Sequence, residues 1–494
     1  MRVRISQLAG SRNIWPLASG EVAVRPGLRK VFTPSGGNVV VGGFSIENPL
    51  TLDVWHYIAQ RTTTTGDTVK IYVYDEEFTE LIVYDTGADA WPRVITHGVT
   101  NNEVFIASPD FPTVWGLVGS GLVRATKIES DSGQSVINVP RGVCAAWASR
   151  AVIAEGNAVY FSDPVVVQGG SPRTFIGANQ WPFEATIYDL HVSDSGRLAV
   201  CTSKGVWALD AEASTAGQVP APAWYQLSDY KAIDHGCTAM VHGRLFGLTR
   251  KGYRLIDGSG SEEIPIDDPH VPLSVWPRIA IGDYRQERMF ASEDGPVVCA
   301  QGAAAFHRTD LSSGTQAWWT MTHSGENAQV QGWLRDRYGE EYVLTKTGAY
   351  FIGGNFDGDE TMAENAEAVT GGFFGEVPMP PEASFTFTRL VVGADTASFL
   401  YGSIRGSQVK EQAESSISLS SNADDERLGH VIGTDTWDDA NVLWSEQPLR
   451  SVDFDLAVST DDVTIEMAAD RPLSRFSFDL LIEDETGEAR RVDK

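Results

Sequence analysis

"RAVIAEGNAVYFSDP", residues 150–164, sets two short apolar runs, "AVIA" and "AVYF", on either side of a Glu-Gly-Asn pivot. Apolar runs broken by Gly-Asn read as a β-hairpin whose turn needs positive φ, which Gly and Asn supply at low cost. A lone hairpin is marginal in water, so the fold depends on whether it has companions. Four later segments resemble it: "GRLAVCTSKGVWALD" from Gly196, "GRLFGLTRKGYRLID" from Gly243, "ERMFASEDGPVVCA" from Glu287 and "GEEYVLTKTGAYFIG" from Gly339. In these four the turn reads Thr/Ser-x-x-Gly.

The turn glycines Gly156, Gly205, Gly252, Gly295 and Gly348 stand 49, 47, 43 and 53 residues apart. A hairpin recurring at that period marks the blades of a β-propeller. Each blade is a small sheet that cannot cover both faces alone, and packing in a ring covers them. The segments between hairpins have room for the remaining strands. Asn102–Ile128, with a turn near Gly119–Gly121, offers a further blade part. We therefore expect an all-β chain, a β-propeller-like array of about 5–7 hairpin-rich blades over residues 91–360. A large β-sandwich assembly is the alternative.

Outside that array the sequence is also β-rich. Residues 1–90 contain the alternating hairpin "TVKIYVYDEEFTELIVYD" (Thr68–Asp85) and the loop "RTTTTGD". Residues 361–382 belong to an acidic Gly/Pro-rich stretch expected to be a linker. Residues 383–494 resume alternating strands such as "SFTFTRLVVG" and "RFSFDLLIED". One arrangement joins the N- and C-terminal segments in an additional β-sandwich or platform, with the propeller inserted at an exposed loop.

The chain has 494 residues and a net charge of −28. That balance argues against a nucleic-acid reader, which needs a basic face. It is compatible with a conduit that must not hold phosphates. Residues 355–494 carry 29 acids and 10 bases, so most of the charge is C-terminal. Such a surface keeps a protein soluble, repels polyanions, or docks a partner. Cys144, Cys201, Cys237 and Cys299 form no CxxC pair and are expected to be buried thiols. The N-terminal "MRVRISQLAGSRNIWPL" lacks the apolar core of a secretory signal, and no apolar run is long enough to span a membrane. Synthesis in a cytoplasm, as a soluble or assembled component, is the expectation.

Motifs for chemistry are weak. No G-x-S-x-G elbow, H-E-x-x-H helix or Walker loop is present. Asn355, Asp357, Gly358 and Glu364 fall at EF-hand-like spacing, but Gly353 occupies the first ligand position. Asp267, Asp268 and His270 in "PIDDPH" could share a metal, although acidic turns beside proline are common. His235 and His242 flank a strand start and read as structural. Paired carboxylates for glycoside hydrolysis cannot be picked out by spacing. Trp181 in "NQWPF" and Trp318 and Trp319 in "AWWTM" are possible glycan or partner contacts, with core packing as the alternative. We assign no catalytic residue, cofactor or metal.

Over Val139–Ile256 the sequence resembles a known family. A strand with Arg, a Gly-Asn turn, an aromatic strand ending in "FSD", a Pro-x-x-Phe element and the next pair "GRLAVCTSKGVWALD" are similar to the propeller of tail nozzle proteins of short-tailed bacteriophages. These are also called tail stabilisation or tail tubular proteins. The resemblance implies a non-enzymatic virion protein, a hexameric ring below the portal and the head-to-tail adaptor. Such a ring extends the DNA channel, retains the genome, guides its ejection, and offers side surfaces to tail fibre or spike proteins. Genomic DNA would pass without sequence-specific binding. In such a blade Ser162 and Asp163 would cap the chain as it leaves the strand, and Pro164 would stop further pairing. The alternative functions are a glycan- or receptor-binding tail protein and a polysaccharide-degrading enzyme.

Overall fold

The computed structural model describes, with side chains, chiefly residues 28–125, 139–162, 180–210, 224–248, 254–256, 288–297 and 330–352. It describes further strands by backbone alone, within 10–24, 175–179, 252–265, 298–322 and 358–491. Everything stated below concerns these residues.

The chain is an all-β propeller. Seven four-stranded antiparallel units follow one another. Blade 1 is Asn38–Glu47, Val54–Thr62, Lys70–Tyr74 and Glu80–Asp85. Blade 2 is Thr96–Thr100, Glu103–Ser108, Phe111–Leu117 and Leu122–Arg124. Blade 3 is Val143–Trp147, Arg150–Glu155, Ala158–Ser162 and Phe175–Pro182. Blade 4 is Ile187–Val192, Leu198–Thr202, Gly205–Leu209 and Tyr225–Ser228. Blade 5 is Thr238–Val241, Arg244–Leu248, Gly252–Leu255 and Glu263–Pro265. Blade 6 is Glu287–Ala291, Pro296–Ala300, Ala305–Asp310 and Ala317–Thr322. Blade 7 is Val330–Arg335, Glu341–Thr345 and Gly348–Ile352, completed on its outer side by Leu28–Phe32 from near the N-terminus. Blades 2 to 5 stand as separate sheets, and the other three are parts of larger ones.

Seven apolar clusters among the described residues fill the seven inter-blade faces, so each blade packs against both its neighbours. Phe44, Tyr57 and Val104 join blades 1 and 2, and Phe105, Trp115 and Ile153 join 2 and 3. Trp147, Phe161 and Leu190 join 3 and 4, and Cys201, Tyr230 and Leu245 join 4 and 5. Phe246 and Met289 join 5 and 6, Val297 and Tyr350 join 6 and 7, and Tyr72, Leu334 and Phe32 close 7 onto 1. Burial of this kind contributes about 25 cal/mol per Å² of apolar surface removed from water. Middle strands such as Leu198–Thr202 and Glu341–Thr345 are buried at every position.

Ring closure depends on Leu28–Phe32, which pairs with Gly348–Ile352. Gly348 permits it: φ is 151°, and a Cβ there would lie 2.0 Å from the Phe32 carbonyl oxygen. At the same seam the first strands of blades 7 and 1 run parallel and meet at Gly332 and Gly43. A Cβ on Gly332 would sit 2.5 Å from the Gly43 oxygen.

The ring thus begins at residue 28, not at the expected boundary of 91. The segments "RTTTTGD" and Thr68–Asp85, expected in an N-terminal platform over 1–90, belong to blade 1, because their alternating strands are buried against blade 2. On the N-terminal side, the described strands within 10–24 lie outside the ring. Gly10–Arg12 pairs with Gly371–Val377, and Val22–Val24 pairs with Arg475–Glu483. N- and C-terminal strands therefore share sheets, in a nine-stranded sheet continuous with blade 6 and a separate seven-stranded one. Within the expected linker 361–382, Gly371–Val377 is a strand paired over its whole length with Val463–Ala469.

The turn device is visible in detail. In blade 3, Glu155 pairs with Ala158 across Gly156 and Asn157. Only Gly156 takes positive φ, at 64°, and Asn157 does not share it as the sequence suggested. In the Thr/Ser-x-x-Gly turns the hydroxyl closes the loop. Thr202 Oγ1 accepts from the Lys204 and Gly205 amides and donates to the Gly205 oxygen. Ser292 Oγ does the same with Gly295, and Thr345 Oγ1 donates to the Gly348 oxygen. The uneven spacing of 43 then 53 residues has a structural cause. Gly295 closes the first turn of its blade, while the other four stand between second and third strands.

Ser162 acts as a cap, but on a neighbouring strand: its Oγ accepts the Ala151 amide at 2.9 Å, and its carbonyl accepts from Arg150. Asp163 and Pro164 lie outside the described residues.

Candidate functional site

The first strands of all seven blades line a central cavity of about 560 Å³. One region of its wall is polar. Arg288, at the start of blade 6, reaches across it: one guanidinium nitrogen donates to the His235 oxygen at 3.1 Å and another to the Arg93 oxygen. One side chain so ties blades 5 and 6 to the segment before blade 2. Burial lowers the Arg288 pKa, against the attraction of Asp234, Asp189 and Asp110.

Beside it, Asp189 of blade 4 is buried. Its Oδ1 accepts the Gly236 amide at 3.0 Å and its Oδ2 accepts the Thr238 hydroxyl at 2.7 Å. The Thr238 oxygen lies 2.8 Å from His191 Nε2. Because the threonine proton goes to the carboxylate, His191 must carry its own proton on Nε2 and donate it. Burial depresses the His191 pKa, with Asp189 pulling the other way. This chain of donors clasps blades 4 and 5.

On the blade 1–2 side, His97 stacks on Phe44 with centroids 4.0 Å apart, and burial pushes its imidazole down to about 4. Thr96 Oγ1 accepts the Cys144 amide at 2.8 Å, and burial pushes the Cys144 thiol up to about 12. Cys201 and Cys237 are buried and their thiols are raised in the same way. Nucleophilic thiolate chemistry needs the opposite shift. Among the described residues no group of three or more His, Cys, Asp or Glu could hold a metal ion.

Trp181 is half-buried and packs with Phe183 and Trp224 against the blade 3–4 core. Trp318 and Trp319 lie on the outer strand of blade 6, where only the backbone is described. Of the turn glycines, Gly156, Gly205, Gly295 and Gly348 occupy turns as above, and Gly252 opens the third strand of blade 5 opposite Pro265. The EF-hand-like loop falls outside the described residues except for Gly358 and Asp359, a two-residue strand described by its backbone, and "PIDDPH" falls outside them beyond Pro265. His235 is structural: its Nδ1 lies 2.6 Å from the Tyr188 oxygen and its ring meets Tyr188 edge-on. Sequence reasoning missed Arg288, Asp189, His191, Thr238 and His97. The available signal was polarity in otherwise apolar inner strands, as in "IYDLHV".

A second surface feature lies in the turns after the first strands of blades 1 and 7. Leu50, Leu52 and Tyr338 are 73%, 60% and 77% exposed. Leu52 takes φ of 64°, unusual for a leucine. Arg337 covers the Tyr338 ring and binds Glu76, in the turn between the third and fourth strands of blade 1, at 2.7 Å.

No family model and no curated protein matches the sequence. Among solved structures, a streptogramin B lyase is 12% identical with a TM-score of 0.43, covering 66% of this chain and 97% of the lyase. The extracellular domain of a B. thetaiotaomicron hybrid two-component system is 11% identical with a TM-score of 0.41, covering 97% of this chain and 61% of that one. YCF48 bound to D1 peptide is 13% identical with a TM-score of 0.37, covering 66% of this chain and 97% of YCF48.

Proposed function

We propose that this chain is a structural tail protein of a short-tailed bacteriophage, a nozzle subunit that assembles as a hexameric ring below the portal and adaptor. The observation that carries the reading is the division of the chain. A ring closed by its own N-terminal strand is inserted between two ends whose strands pair with each other. That organisation suits a platform that assembles about an axis, with the propeller as its appendage. The resemblance of Val139–Ile256 to nozzle propellers points the same way.

The propeller cavity is ligand-sized, so a channel for duplex DNA would run between copies, where heterologous contacts close a ring. The acidic residues 355–494 would keep phosphates from adhering there. Side surfaces such as the exposed Leu50, Leu52 and Tyr338 side chains are available to fibres or spikes.

The test is location. Antibody against this chain, applied to purified particles and imaged by negative-stain electron microscopy, is expected to label the axial stub at one vertex. Absence of the chain from particles by mass spectrometry would overturn the reading. Label on peripheral appendages would favour the second reading, a receptor- or glycan-binding tail protein, for which the central cavity is the supporting feature.

A further inference from the structure

A sheet edge exposes unpaired N–H and C=O groups, and proteins blunt such edges with short strands, proline, basic residues or a covering segment. Six of the seven outer strands here show such features. Blade 2 ends in three residues, the last Arg124, and blade 3 ends on Pro182. Blade 4 offers four mostly polar residues, Tyr225–Ser228. Blade 5 offers three, ending at Pro265. The outer strand of blade 6 has Gly10–Arg12 beside it, and that of blade 7 carries Arg29 and Lys30.

Blade 1 is the exception. Its outer strand, Glu80–Asp85, reads "ELIVYD", with no proline and no base. Among the described residues it pairs on one side only, with Lys70–Tyr74. Ile82 and Tyr84 pack inward on the blade 1–2 core, while Leu81 and Val83 are 47% and 44% exposed. The register shifts beside Leu81, and the pairing is regular from Ile82 onward. The Thr86 amide bonds inward to the Val69 oxygen. By alternation Ile82 and Tyr84 also point inward, and the Val83 and Asp85 amides point out. Acids outnumber bases around this edge: Asp75, Glu77, Glu80 and Asp85 stand against Lys70, opposite Asp85, and Arg124, near Tyr84, while Arg337 is taken up by Glu76.

We propose that Glu80–Asp85 is a β-augmentation site for an extended segment of another protein, with alternating apolar side chains flanked by Lys or Arg. Main-chain bonds to the outward groups hold the segment, its apolar side chains lie beside Leu81 and Val83, and its basic ends meet Glu77, Glu80 and Asp85. A second copy of this chain would set like charges against each other along the same edge. The site stands whether or not the nozzle reading does.

The probe is a labelled peptide of about ten residues, alternating valine and threonine with lysine at each end, titrated against the full chain by fluorescence anisotropy. Saturable binding is expected, weaker by about tenfold, roughly one broken main-chain contact, for the same peptide ended in glutamate and for Val83→Pro. The proline removes an outward amide and spares the inward pairing, so the unfolding midpoint should hold. Leu81→Lys tests the same edge should the proline variant misfold. No binding by the lysine-ended peptide, or equal binding by both variants, overturns the proposal. A dimer in light scattering that Val83→Pro abolishes overturns the choice of occupant in favour of a second copy.

Discussion

His56 ties the closing seam of the ring to pH. Its side chain is fully buried between blades 1 and 7, stacked on Phe78 at 4.7 Å. The Ser45 oxygen accepts the Arg335 amide, so its proton faces His56 Nδ1 at 2.9 Å. The imidazole is therefore neutral, with hydrogen on Nε2, which has no hydrogen-bond partner among the described residues. Burial pushes its pKa down to about 4, although Asp336 and Asp75 pull it up. In the unfolded chain it titrates near 6.5. Above that pH both states are neutral and nothing is lost. As pH falls below it, the unfolded chain takes a proton that the folded chain refuses, so stability drops until the folded site also protonates. Linkage gives a loss of about 2 kcal/mol at pH 5, approaching about 3 kcal/mol at pH 4. His56→Phe keeps the stack and removes the titration. Denaturant midpoints for both proteins at pH 7.5, 6 and 5 test this, because the common carboxylate titrations cancel in the difference. The variant should gain on the native chain by about 2 kcal/mol between pH 7.5 and 5. A pH-independent difference would refute the argument.

Gly348→Ala should destabilise the ring by about 3 kcal/mol or more, because its Cβ meets the Phe32 oxygen at a φ only glycine tolerates well. Hydrogen exchange should then show residues 28–32 and 348–352 losing protection together. Thr202→Val removes three turn bonds and should cost about 1–3 kcal/mol in thermal unfolding, while Thr202→Ser should be nearly neutral. Cys144, Cys201 and Cys237 should resist iodoacetamide in the native chain and react once it is unfolded, as read by peptide mass spectrometry.

The propeller was legible because its period is local: turn chemistry and apolar runs recur in the sequence wherever a blade's middle strands pair. Blade 1 was assigned to a platform because its second and third strands are joined by the longer loop "RTTTTGD", so the Thr63-x-x-Gly66 inside it did not read as a tight hairpin turn. The role of Leu28–Phe32 was not legible, since its partner lies more than 300 residues away and nothing in "LRKVF" names it. The cavity was hidden for a related reason. Asp189, Thr238 and Arg288 converge only when inner strands from three blades meet, and a one-dimensional pattern carries no record of that meeting. For Trp181 the sequence left glycan or partner contact and core packing both open, and the structure shows it half-buried and packed on the blade 3–4 core from the outer strand of blade 3.

A reconstruction of intact purified particles by electron cryo-microscopy, with the tail treated separately from the capsid, tests the central claim most directly. The account predicts six copies around the tail axis below the adaptor, each placing a seven-bladed disc beside a platform built from both chain ends. Discs found only on peripheral appendages, or a tail with no density for this chain, would contradict it.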